Sequence, residues 1–184
     1  MFDVLPAHGA VANPLCCVDN ARLTSLPGHT HNPRYTPLWG LILVRAHMKY
    51  PAPSRDEIAL VERTVGAPLP IDLIALYNAR GNGGFGPDYG LLGLASGHTT
   101  DEGDTALSLY RVFNSPDAED PSWVWPSNML PILHLGCAIY CCIDLVTPGN
   151  PVVQFDPNPF GPGDTWDRAF SVVSPTIESW LGGL

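Results

Sequence analysis

The chain predicts an α+β fold: a single domain with a mostly antiparallel sheet flanked by helices. Three observations carry this. Residues 54–79 hold two helix-period apolar stripes in tandem. Residues 129–155 hold three short apolar runs separated by glycine and proline turns, as antiparallel strands require. Eighteen glycines and twenty prolines among 184 residues demand many irregular connections, well above ordinary proline usage. At this length one core can bury about 70% of the surface the unfolded chain exposes, so one body is the expectation.

Residues 1–37 contain Pro6, Pro14, Pro27 and Pro33 and no sustained period, and are taken as an irregular, Pro-rich N-terminal extension. The domain proper is placed at 38–184. A short helix is expected at 37–47, with Leu38, Leu41 and Ile42 on one side. The next helix starts at Ser54. Ser54 and Glu57 have capping-box spacing, in which each side chain takes the other residue's backbone amide. Ile58, Val61 and Val65 then recur at i, i+3 and i+7, a stripe one face can bury. Gly66 stops that helix, and Pro70 suits the first turn of another, where its missing N–H would be unpaired anyway. Leu73, Ile74, Leu76 and Tyr77 give the second helix its apolar face.

After a glycine loop at 81–90, residues 89–94 are expected to form a strand. Residues 105–113 fit helix or strand, and Leu107, Tyr110 and Phe113 at intervals of three favour helix. Strands are predicted at 129–134, 137–145 and 151–155, with turns at Gly136 and Pro148-Gly149-Asn150, the last two strands forming a hairpin. Ser174-Pro175 would cap a final helix that buries Ile177, Trp180 and Leu181 and ends at Gly182-Gly183.

Charge is divided unevenly. Residues 1–50 carry four basic and two acidic side chains, whereas residues 51–184 carry five arginines, no lysine and sixteen carboxylates, a net charge of −11. Nucleic-acid binding is disfavoured, because phosphate neutralisation needs clustered Lys and Arg. A basic protein partner is favoured instead. No apolar run reaches the roughly 18 residues of a membrane helix, and Asp3 with no basic n-region predicts no secretory leader. An odd cysteine count of five suggests reduced thiols and a cytoplasmic location.

Several motifs bear on chemistry. Residues 81–86 satisfy G-x-G-x-x-G, but the dinucleotide fingerprint needs a strand before and a helix after, and here the order is reversed. The bland reading is a tight turn at which Gly83 or Gly84 has positive φ. In an extended strand Cys137 and Cys141 would be about 13 Å apart, too far for one zinc, and Cys141 and Cys142 would face opposite ways, as would Cys16 and Cys17. His29 and His31 lack a third ligand of clear spacing. No nucleophile turn surrounds any cysteine or histidine, so no catalytic, cofactor or metal residue is assigned.

Two acidic clusters remain: Asp101, Glu102 and Asp104, then Asp117, Glu119 and Asp120, the second followed by Trp123 and Trp125. They are either solvated loops or a binding face, in which carboxylates steer a cationic partner and a tryptophan anchors it. Either tryptophan could equally belong to the core.

The order of motifs resembles the SUKH superfamily, known in yeast proteins as cell-wall assembly regulator domains. The shared features are an acidic first helix (Glu57 to Val65), Gly66 with a Leu69-Pro70 joint, a second helix (Ile71 to Ala79) and an Asn82-Gly83-Gly84 turn. Leu130-Pro131-Ile132, the apolar run ending in Asp144 and a closing Ser-x-x-hydrophobic helix at 174–181 continue the likeness. The resemblance spans roughly residues 38–184. It implies a non-catalytic immunity protein that neutralises a polymorphic toxin, often a nuclease, by direct binding. The alternative it implies is a cytosolic scaffold or regulatory interaction protein of the yeast type. The sequence leaves the toxin and the oligomeric state open.

Overall fold

The architecture comes from a computed structural model, which describes residues 49–161 and 163–182. The chain divides into units Met1–His47 and Met48–Leu184. The extension at 1–37 and the helix expected at 37–47 lie outside the described residues.

Helix α1 (Arg55–Val65) starts as its capping box requires: Glu57 accepts the Ser54 amide at 2.8 Å and Ser54 Oγ accepts the Glu57 amide at 3.2 Å. It ends at Gly66, whose φ of 75° is left-handed. The joint to α2 (Ile71–Arg80) is held by Glu62, which accepts the Leu69 amide at 2.9 Å. Helix α3 (Ala106–Phe113) opens on a second capping box, between Thr105 and Ser108. The helical choice at 105–113 is therefore correct.

Strands β1 (Met129–Gly136), β2 (Ile139–Asp144), β3 (Val152–Phe155) and β4 (Phe170–Ser174) form one antiparallel sheet in the order β1-β2-β3-β4. Helix α3 packs on β1, α1 touches α3, and α2 meets the short α4 (Ile177–Leu181) beside β4. The fold is thus α+β. No helix among the described residues is long and apolar enough to cross a membrane.

From Tyr140 to Asp144, β2 is buried on both faces, and one face carries an aromatic layer. Tyr140, Phe155 and Phe170 lie in one cross-strand row. Phe113, from the end of α3, packs against Tyr140 with centroids 5.3 Å apart, and Trp125 packs against Phe155 at 5.2 Å and Phe170 at 5.3 Å.

Four expectations are corrected. Residues 89–94 form no strand: only Leu91 bridges Leu133, with the Leu92 amide on Ile132 O at 2.8 Å. The chain bends at Gly90 (φ 82°) and at Gly93, where a side chain would meet Ser96 O. Cys137 belongs to a turn rather than to β2, because Cys137 (φ 50°) and Ala138 (φ 59°) are both left-handed, as a two-residue I′ hairpin turn needs. Strand β4 was not foreseen. It occupies Ser174, so the cap of α4 is Thr176, whose hydroxyl accepts the Ser179 amide at 3.0 Å. Ile177 is buried as expected, while Trp180 and Leu181 are only partly buried.

Candidate partner-binding site

The two acidic clusters sit at opposite ends of α3. The helix between them, eight residues at 1.5 Å each, is about 12 Å long. In the first, Asp101 and Glu102 are exposed at the tip of a turn closed by the Thr100 amide on Asp104 O at 2.9 Å. Asp104 is half-buried. Glu102 and Asp104 lie within electrostatic reach of the aromatic layer: burial first, then these two carboxylates, push the Tyr140 hydroxyl up to about 12.

In the second cluster Asp117 and Glu119 are exposed, and Asp117 Oδ1 accepts the Glu119 and Asp120 amides at 2.7 and 3.2 Å. Asp120 is different. It is 8% exposed, accepts from the Ser122 amide and hydroxyl, and accepts Trp166 Nε1–H at 2.7 Å. The Ser122 hydroxyl bond leads in holding its carboxyl below the usual range, with Trp166 and the Ser122 amide adding to it against the effect of burial. Asp120 therefore shapes the loop, leaving Asp117 and Glu119 to present charge.

Both tryptophans are built into the fold. Trp125 is 5% exposed with its indole N–H on Met129 O at 2.9 Å, and half-buried Trp123 donates to Phe113 O at 2.8 Å. Between them Val124 is 70% exposed. Period-2 alternation carries the signal that the sequence reading missed: if both indoles turn inward, the residue between them must turn out. Val124, Pro126, Trp166 and Phe170 then line an open, mostly apolar depression of about 500 Å³, with Asp164 and Asp167 also on its lining. Trp166 and Phe170 lie far along the chain from the acidic clusters. Only the fold brings them here.

The glycine loop is structural. Gly83 and Gly84 have φ of 86° and 77°, as anticipated, and a side chain on Gly83 would lie 2.5 Å from Leu91 O. Asn82, 1% exposed, holds the loop: its Oδ1 accepts the Leu94 amide at 2.9 Å and its Nδ2 donates to Ser96 Oγ at 3.2 Å. Ser96 Oγ in turn donates to Glu57, tying the loop to the cap of α1. Burial pushes the Glu57 carboxyl up, but bonds from Ser96 and Ser54 outweigh it and leave the group below its ordinary value.

Asp144, which sequence reading took only as the end of a strand, anchors the β2–β3 loop. It accepts from Asn128 at 2.6 Å, from the Val146 and Thr147 amides at 3.0 Å each, and from the Thr147 hydroxyl at 2.6 Å. Burial acts to raise its carboxyl; the four bonds reverse that and lower it.

Cys141 and Cys142 are buried on opposite faces of β2, and burial pushes Cys141 up to about 11 and Cys142 well above the usual thiol range. Cys137 is exposed in the preceding turn, so the zinc argument from a continuous strand does not describe it. Among the described residues no three His, Cys, Asp or Glu converge on a metal position. Cys16, Cys17, His29 and His31 lie outside the described residues.

The family model described as SMI1 / KNR4 family (SUKH-1) matches residues 52–183. No curated protein and no solved structure matches the chain.

Proposed function

Because the chain belongs to the SMI1 / KNR4 family (SUKH-1) over most of its length, we propose that it is a non-catalytic protein-binding module. It acts as a cytoplasmic immunity protein that covers a cognate toxin with a basic surface, a nuclease being one such class. The supporting observation is the display of Asp101, Glu102, Asp117 and Glu119 on exposed turns at both ends of α3. Residues 51–184 carry sixteen carboxylates against five arginines. Such a field accelerates encounter with a cationic protein and disfavours phosphates.

Trp123 and Trp125 support the face from behind rather than anchoring the partner. Asp104 and Asp120 hold the turns from which their neighbours project. Co-expression tests the reading. A toxin encoded beside this gene should arrest growth alone and be tolerated when this protein accompanies it. Arrest that persists despite soluble expression of both proteins would contradict it.

A further inference from the structure

The two edges of the sheet are unlike each other. At the β1 edge the Leu92 amide donates to Ile132 O at 2.8 Å, so that edge is partly occupied. At the β4 edge Val172 and Val173 are 66% and 47% exposed. The Asp156 amide on Ala169 O at 2.9 Å sets the ladder's phase. With Phe170 opposite Phe155 and Ser171 opposite Gln154, the alternation of an antiparallel pair turns the polar groups of Ser171 toward β3 and those of Phe170 and Val172 outward. The Phe170 N–H is used by the preceding 3-10 helix (Trp166–Ala169). Among the described residues, Phe170 C=O and both Val172 groups remain as acceptors and donor for another strand.

The same edge carries a side-chain recess. Phe170 belongs both to β4 and to the depression with Val124, Pro126 and Trp166, and Asp164 and Asp167 lie beside them. An apolar floor with carboxylates near it fits an arginine, whose stem packs while its head stays charged. Arg168 is the one cation among residues 161–174, and Asp164 also accepts the Gly161 amide at 2.8 Å.

We propose that the outer edge of β4 accepts an extended segment of a basic partner protein, which adds as a fifth strand and sets an arginine side chain in the Val124–Trp166–Phe170 depression. This rests on the binding reading above and names the partner's recognised element. Strand addition supplies main-chain hydrogen bonds for affinity, and the recess supplies selectivity. A second copy of this chain fits poorly as occupant. Its net charge of −9 opposes self-pairing, and Val173, the extra residue between the Val152 and Val153 pairings, bulges the strand and blunts open-ended pairing between copies.

The experiment is a nuclear magnetic resonance titration of the full chain with an end-blocked Val-Arg-Val-Arg-Val-Arg peptide. Shifts should appear at Val124, the Trp166 indole and Phe170 to Val172, with slowed solvent exchange at the Val172 amide. Val172→Pro deletes an outward N–H, which an edge strand tolerates, and should weaken binding at least about tenfold through the lost bonds. Val124→Arg should weaken it similarly, and Asp164→Asn with Asp167→Asn about fivefold. Val146→Arg, at a 65%-exposed position after β2, should change nothing. Shifts absent at millimolar peptide, or confined to 101–104, would overturn the proposal. So would peptide-independent, concentration-dependent shifts at β4, which would assign the edge to a second copy. Peptide bound here while no toxin is neutralised on co-expression would sustain this site and remove the immunity reading. Toxin neutralised at full potency by Val172→Pro and Val124→Arg would do the reverse.

Discussion

Gly83 shows how a single missing side chain can be demanded twice, by conformation and by space. Its φ is left-handed, and a Cβ there would meet Leu91 O at 2.5 Å and Gly93 N at 2.7 Å, all backbone that cannot swing away. Gly66 is equally left-handed at φ 75°, yet a Cβ on it meets nothing within 4 Å. The pair separates the two costs. Gly66→Ala should cost about 1 kcal/mol from backbone conformation alone. Gly83→Ala should cost about 3 kcal/mol, since the loop must also open. Urea unfolding of both variants checks the ordering, and equal costs would mean that the 91–93 backbone yields. That positive φ was legible in the Asn-Gly-Gly sequence; the clash with residues 91–93 was not, because it depends on a chain reversal several residues later.

At the scale of elements, legibility tracked how local the governing interaction is. The capping box of α1 lies within four residues, so its start followed from spacing alone, whereas α3 was read only from Leu107, Tyr110 and Phe113 at intervals of three, and its Thr105–Ser108 box went unread. Strand β4 escaped notice because Phe-Ser-Val-Val runs straight into Ser174-Pro175, and the cap signal there outweighed a strand whose ladder is made with β3. The β2–β3 loop was recognised as a turn, but not its organiser. Removing the Asp144 carboxylate would strip two amides and two side chains of their acceptor. Asp144→Ala should therefore cost about 2 kcal/mol or more. The pH dependence has a definite sign. The folded carboxyl lies below its reference value of 3.8, so its contribution is complete above that value and is lost as pH falls through the lower folded pKa. Asp144→Asn should flatten the loss of stability as pH falls below 3.8, relative to the parent. Parallel curves would assign that acid sensitivity to other groups.

For the molecule as a whole, the acidic balance was plain from composition, whereas the distinction between displayed and internal carboxylates was not. Asp117 and Asp120 are alike in sequence. What separates them is Trp166, 46 residues away from Asp120, which takes the Asp120 carboxylate into the fold and leaves Asp117 outside. Trp125 was likewise withdrawn from the candidate face by Met129, Phe155 and Phe170. The central claim is that exposed carboxylates around α3 steer a basic partner protein. Its most direct test is surface plasmon resonance with a toxin that this protein neutralises on co-expression, at low and high salt, comparing the parent with Asp117→Lys plus Glu119→Lys. Both positions are exposed, but Asp117→Lys removes the acceptor of the Glu119 and Asp120 amides, so circular dichroism is used to check that the variant is folded. Exposed charges are screened beyond about 10 Å at 0.1 M salt. Association of the parent should therefore slow as salt rises, and the double reversal should lower the on-rate at low salt with little change in off-rate. A folded double variant whose association rate matches the parent at both salt concentrations would contradict the claim.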